Sequence, residues 1–591
     1  MHLRAPLLLV LVSLASPAFA GIRYVNAALN TGANNGTSWA DAFQGSNGLQ
    51  MALGVVVPGD QIWVAQGRYK PSPNGVRAVS FVLRDGVEIY GGFDGTESSL
   101  GQRDFLAHVT ALTGDLNGDD GSNQFADNSF HVVDGSYNNA TAILDGCTVR
   151  AGNANGTAGV DVALGGGILC HHGPGPTLRH CILRENRCSY DGGGGYVNDS
   201  NPTFVDCRFE SNVSPGHGGG VFVGTFQSDG SDPSPTFLRC VFTHNRGAQG
   251  GGIQFMNNSH ATLINCVFSG NRATDWDGGA IHVSDSQPVI RNCTIVGNRS
   301  NTYSGAGILA TSPITLANNI LYSNLGPTGQ QGLLYNVDGG NCTYCCVQFI
   351  GPGSGNISAD PLFLDPAAGN LRLQATSPCA DSGNNSQLPT GITVDLDGNP
   401  RVADDPFVPD TGLGSAPIVD IGAYELPSAL YIPFCAGDGS LGTACPCGNS
   451  GAVGRGCLNS DSLSLGALLV ASGPASPDAV VLSANGMLST STCIFLQGDL
   501  QSPGGTVFGD GVRCVAGSLK RLYLKSATGG VASAPEAGDL PITARSAQLG
   551  DPISPGMRRY YQVYYHDSNL LFCPAPQGNS WNVSSGQVVS W

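Results

Sequence analysis

A nine-residue segment recurs six times between residues 178 and 324, and it restricts the fold more than any other feature of the chain. Each copy ends on an asparagine: Asn186, Asn212, Asn245, Asn271, Asn298 and Asn324. Five residues earlier stand Cys181, Cys207, Cys240, Cys266 and Cys293, with Asn319 in the sixth copy. Successive copies lie 26, 33, 26, 27 and 26 residues apart. A glycine-rich motif precedes most of them, at Gly165–Ile168, Gly193–Tyr196, Gly218–Val221, Gly250–Ile253, Gly278–Ile281 and Gly305–Ile308. A period of this length holds three short strands and their turns, which is one coil of a solenoid. Stacked coils repeat at the strand spacing of about 4.8 Å, so each residue lies over its counterpart. The cysteine and the apolar residue two places on are expected to share one strand face and point inward, as a buried column. The asparagines fall at a turn, where stacked side chains can bond one another and left-handed backbone angles are tolerated. Residues 227–235, inside the 33-residue interval, read as an outward loop. The expected fold is all-β: a right-handed parallel β-helix followed by a small C-terminal β-sandwich.

Domain divisions follow from where the repeat starts and stops. Residues 1–20 read as a signal peptide, with Arg4, the apolar stretch Leu7–Leu14 and the small-x-small site Ala18-Phe19-Ala20. No later segment reaches the roughly 18 apolar residues of a membrane helix. Residues 21–139 are expected to form an N-terminal cap and first coils, since a bare solenoid end exposes core and strand edge. Residues 140–430 carry the repeats and a terminating module, and residues 431–591 a cysteine-containing β-sandwich for sorting or attachment. The seven C-terminal cysteines (Cys435, Cys445, Cys447, Cys457, Cys493, Cys514 and Cys573) sit in turn-rich sequence and are disulfide candidates in an oxidising compartment. Their odd number leaves one free or paired elsewhere. The formal net charge of −17 argues against a nucleic-acid partner.

The motifs also carry a resemblance. Phe209–Asn212, Phe242–Asn245, Phe268–Asn271 and Gly278–Ile281 resemble the paired Phe-x-x-Asn and Gly-Gly-Ala-Ile repeats of chlamydial polymorphic outer-membrane proteins. More broadly the region is similar to the pectin-lyase-like superfamily, which holds polysaccharide lyases, hydrolases, adhesins and tailspikes. Val394–Arg401 with Val419–Glu425 resembles the end of the choice-of-anchor Q module, which implies termination of a surface β-helix ahead of an anchoring element. Residues 431–591 resemble a C-terminal module of secreted planctomycete-type proteins, implying attachment or sorting by position.

Candidate chemistry is sparse. Gly216-His217-Gly218 is similar to a polygalacturonase element, but His217 falls in the glycine-repeat slot, where other coils carry Gly192, Gln249, Asp277 and Ser304. Hydrolysis needs two acids about 5–9 Å apart. Asp275 and Asp277, with Asp191 one coil position away, could line an edge, followed by His282 and Asp285. Asp115, Asn117, Asp119 and Asp120 form a calcium-like loop whose glycine falls one place late for an EF-hand and which no Glu closes. Asp395-Leu-Asp397-Gly-Asn399 is similar, and both also read as Asx-rich turns. Calcium is the one cofactor these loops suggest. No catalytic residue is assigned.

Two functional readings result. The favoured one is a non-enzymatic secreted or cell-surface protein of a bacterium, outer-membrane associated, adhesive or structural, meeting an extracellular glycan or cell-surface component. The alternative is a secreted polysaccharide lyase or glycoside hydrolase acting on an extended acidic polysaccharide. A groove gathering acids or Arg/Lys over two or three adjacent coils would separate them.

Overall fold

Alternation inside the repeat sets the inward face. In Arg208–Glu210, Val241–Thr243 and Val267–Ser269 the central Phe209, Phe242 and Phe268 are fully buried, while the flanking residues point out. Their rings stack coil upon coil, 4.6 and 4.5 Å between centroids and with nearly parallel planes. A second column, Phe204 on Phe237, stacks at 5.0 Å. Stacking in register adds roughly 0.5–1.5 kcal/mol per pair to the burial itself.

The computed structural model describes residues 21–591 apart from 158–160, 226–231, 302–304, 327–340, 349–352, 375, 404–407, 427–430, 474, 476–477, 555–556, 575–577 and 579. The signal peptide, most of the outward loop and Ser304 therefore lie outside the described residues. The chain divides into two compact units, Met1–Pro427 and Ser428–Trp591.

The first unit is a right-handed parallel β-helix with three long sheets, of twelve, ten and eight strands. We name these A, B and C. One coil runs Ile253–Met256 in sheet C, Thr262–Ile264 in sheet A and Val267–Ser269 in sheet B before returning to Ile281–Ser284 in sheet C. A short helix, Gly48–Leu53, buries Leu49, Ala52 and Leu53 against the first coils. Sheet A begins at Ile22–Asn26 and Gln61–Ala65.

The cysteines stand at the corner between sheets A and B. Each follows a left-handed residue: His180, Asp206, Arg239, Asn265 and Asn292 all have φ near +50°. Each thiol donates to a carbonyl of the coil below, as from Cys181 to Leu144, Cys207 to Leu178 and Cys240 to Phe204 at 3.4–3.5 Å. Asn319 takes the sixth place by making the same kind of bond, Nδ2 to the Ile290 carbonyl at 2.8 Å.

The six repeat asparagines form a continuous ladder at the next corner. In Asn245, the backbone N–H and Nδ2 both donate to Asn271 Oδ1 (3.1 and 3.0 Å), and Nδ2 also reaches the Phe209 carbonyl at 2.7 Å. Asn186, Asn212, Asn271 and Asn298 repeat the pattern. The expected left-handed angle belongs to the preceding residue instead: Glu185, Ser211, His244, Gly270, Gly297 and Ser323. That residue makes the bend, which frees each asparagine to aim inward.

Two further expectations are corrected. The Gly193–Tyr196 motif is slipped by one residue, because Gly195 pairs with Ile168 and Val221, and Gly192 carries the positive φ found at Gly165 and Gly218. Within residues 140–430, expected to carry the repeats and a terminating module, residues 363–373 leave the coil pattern: Phe363–Asp365 and Asn370–Leu373 pair antiparallel.

From there the chain folds back along the helix. Asn265 Nδ2 donates to the Val394 carbonyl, Asn318 Nδ2 to the Asn384 carbonyl, and Ala423 N–H to Thr294 Oγ1. Val267, Val296 and Ile320 on the outer face of sheet B are thereby covered by Phe363, Leu371, Leu373 and Ile421, which form a second, smaller core. A buried pair holds this return in place: Arg401 meets Glu425 at 3.2 Å and donates to the Asp420 and Gly422 carbonyls.

The second unit is antiparallel, with sheets of six, three and two strands that form a small β-sandwich. Disulfides join Cys435 to Cys514, Cys445 to Cys457, and Cys447 to Cys573. Cys493 is a buried free thiol, pushed up to about 11 by burial.

Candidate functional site

The covering of sheet B stops short of its earlier strands, and a groove opens where it ends. One wall is the outer face of three adjacent coils, with Arg208 and Glu210, then Val241 and Thr243, then Val267 and Ser269. The other comprises Gly369, Leu371, Arg372 and Tyr424 of the returning chain. The cavity measures 460 Å³, within the range of small-molecule sites.

Its charges are arranged around one ring. Arg372 lies 5.0 Å over the face of Tyr424 and donates to Asp397, Nη2 to Oδ1 at 2.6 Å. That carboxylate holds the Arg372 guanidinium above its ordinary value. Burial pushes the Tyr424 hydroxyl up to about 12, with Arg372 pulling the other way. Arg208, half exposed, pairs with Glu210 at 2.5 Å. Glu210 and Asp397 are thus each taken up by an arginine, whereas hydrolysis needs one acid to donate a proton and a second to attack or to activate water.

The other candidate edge runs along the turn leading into sheet C. Asp191 Oδ1 accepts from the His217 backbone N–H at 2.7 Å and lies 2.8 Å from its Nδ1. His217 in turn pairs with Gln249. The corrected register makes Asp191, not Gly192, the counterpart of His217, Gln249 and Asp277. Asp191 and Asp277 are three coil steps apart, about 14 Å at the spacing of stacked strands. That exceeds the separation of a hydrolytic pair. His282 sits between Gln249 and Gln254, 2.8 Å from each, and burial followed by the charge of His217 lowers it to about 4. It is a neutral, packed histidine rather than a proton shuttle at neutral pH.

The two calcium-like loops differ. Asp395 is buried, and its carboxylate accepts the N–H groups of Asp397, Asn399 and Glu425. It is an Asx turn with its oxygens occupied. Asp115, Asp119 and Asp120, by contrast, bring one oxygen each within 4.8 Å of one another. Asn117 is exposed, and its backbone N–H bonds Asp127.

The repeat cysteines are closed off from solvent. Cys181, Cys207, Cys240, Cys266 and Cys293 are fully buried free thiols. Burial holds Cys181, Cys240 and Cys293 well above an ordinary thiol, while at Cys207 and Cys266 burial is outweighed by the hydrogen bonds of the neighbouring thiols, which lower them. Sequence reasoning missed the groove because its second wall lies about 100 residues or more from its first. The local signal was present in the outward residues of consecutive repeats.

A family model described as "Right handed beta helix region" matches residues 116–271 and 198–353. Among solved structures, that of pectate lyase Pel9A is similar at 13% identity and a TM-score of 0.42, covering 69% of this chain and 97% of that one. No curated protein sequence matches the chain. Among the described residues, no helix is long and apolar enough to cross a membrane.

Proposed function

We propose that this is a secreted or cell-surface glycan-binding β-helix protein, and that the groove on sheet B receives an extended acidic polysaccharide without cutting it. The observation that carries this reading is the groove itself: two arginines and an aromatic ring beside polar positions repeated over three coils. A repeating polymer suits such a lining, because the coil rise is comparable to the length of one sugar residue. Tyr424 offers a ring for a sugar face, and the exposed half of Arg208 and of Arg372 offers donors that carboxylates accept in pairs. Export is supported by the signal-like N-terminus and by the three disulfides of the second unit, which suit an oxidising compartment. Attachment or sorting is the role proposed for that unit.

The test is a panel of acidic and neutral polysaccharides scored for binding, unsaturated products and reducing ends. The expected result is retention of acidic chains, weakened about tenfold or more in Arg372→Ala or Tyr424→Ala, with no new chain ends. Unsaturated products would show a lyase, and reducing ends alone a hydrolase. Either outcome would sink the binding-only reading.

A further inference from the structure

The residue after each ladder asparagine opens the next strand, and in three consecutive coils it is an arginine. Arg246 pairs with Arg272 in a short parallel sheet, and Arg272 bridges to Arg299. All three are exposed, while Gly247, Ala273 and Ser300 after them are buried. Their side chains therefore leave the β-helix one per coil, rooted about 4.8 Å apart. Val213 and Leu325 bound the run on either side. Like charges so placed repel one another. Arg272 donates to Asn301 Oδ1 at 3.2 Å, and among the described residues none of the three pairs with a carboxylate. Asp275, the acid nearest in sequence, accepts from Thr274 Oγ1 at 3.2 Å instead. In a chain with 44 acidic and 27 basic residues, a run of three unmatched arginines is not explained by a shortage of partners.

The turn that follows adds an independent observation. Trp276 is 62% exposed and Tyr190 is 45% exposed. They directly precede Asp277 and Asp191, so they occupy one slot in coils three steps apart. Gly216 and Ala248 fill that slot between them and carry almost no side chain. Two exposed rings thus flank a low shelf about 14 Å long at the strand spacing. An exposed ring offers a flat apolar face that the C–H face of a sugar covers.

We propose that Arg246, Arg272 and Arg299, with Trp276 and Tyr190, form a second binding lane for a polyuronate, separate from the sheet-B groove. One carboxylate per sugar meets one guanidinium per coil, and arginine takes carboxylates in bidentate pairs. Successive phosphates of an extended nucleic-acid strand lie farther apart than one coil step, so a glycan fits the spacing better. The groove lies before the asparagine ladder and the lane after it. One molecule therefore holds two glycan chains and bridges them; the bridging rests on the groove reading, and the lane itself does not.

The test titrates long polygalacturonate into the full chain and its variants by calorimetry. Arg246→Gln/Arg272→Gln/Arg299→Gln is expected to bind about tenfold more weakly or worse, with its thermal midpoint at or above that of the parent because crowded charges are gone. Trp276→Ala should weaken binding about threefold or more, and serves if the triple variant fails to fold. Adding the triple change to Arg372→Ala should remove the binding that Arg372→Ala retains. Parent-like affinity in whichever lane variant folds would overturn the lane and leave the groove standing. Parent-like affinity in Arg372→Ala, with loss in the triple variant, would overturn the groove and support the lane. No binding by the parent would overturn both. Equal affinity of the parent for single-stranded oligodeoxythymidylate, lost in the triple variant, would overturn the assignment to a polyuronate.

Discussion

The two units use the same residue for opposite purposes. Among the described residues of the β-helix every cysteine is a buried free thiol, whereas six of the seven in the C-terminal unit are paired. A solenoid buries a fresh layer of core with each coil and closes its corners by side-chain ladders, so it needs no cross-link. A small antiparallel module has less interior, and covalent bonds compensate by restricting its unfolded chain. The position of the sulfur thus reports how each unit is held together.

Reduction should separate the two most strongly. Removing a native disulfide from a small exported module typically costs about 2–5 kcal/mol. A reductant is therefore expected to unfold the C-terminal unit near ambient temperature and to leave the β-helix transition in place. Loss of both transitions together would break the comparison. Next in size is the ladder. Asn245→Ala strips several buried hydrogen bonds and leaves the N–H of Asn212 without its acceptor. The expected cost is about 3 kcal/mol, read as a lower midpoint for the β-helix alone.

The smallest effect concerns the outer corner of the β-helix. His180 Nδ1 meets Asp145 at 3.0 Å, and Arg103 meets the same carboxylate at 2.9 Å. His180 is raised above 6.5, chiefly by its bond to Asp145. Its contribution is complete below 6.5 and is lost as pH rises through the higher folded value. Burial raises Asp145, but the bonds from His180 and Arg103 outweigh it and leave the carboxyl below 3.8. Its contribution is complete above 3.8 and is lost as pH falls through the lower folded value. The pair is therefore strongest between 3.8 and 6.5. Asp145→Asn should flatten the pH dependence of the β-helix midpoint at both edges of that window. An unchanged profile would assign the effect to other groups.

Much of this fold is legible in the sequence, for a reason the repeats make visible. Cys181 to Cys293 and Asn186 to Asn324 mark equivalent places in consecutive coils, and stacking rewards identical side chains in register. The reading slipped at Gly192–Gly195, where four successive glycines provide no side chain to fix the alignment. The one-residue shift is what sets Asp191 opposite His217. The groove escaped for a different reason. Arg208 and Tyr424 meet only because the chain after residue 360 reverses onto sheet B, and nothing periodic announces a reversal. The acidic loop lay between these cases: Asp115, Asp119 and Asp120 were visible as a run, while Asn128 joined them through folding.

The central claim concerns the groove, and titration of an acidic oligouronide into the full chain tests it most directly. The account predicts saturable binding that weakens about tenfold or more in Arg372→Ala, with the oligomer recovered intact. Equal affinity for parent and variant, or recovery of shortened oligomer, would contradict it.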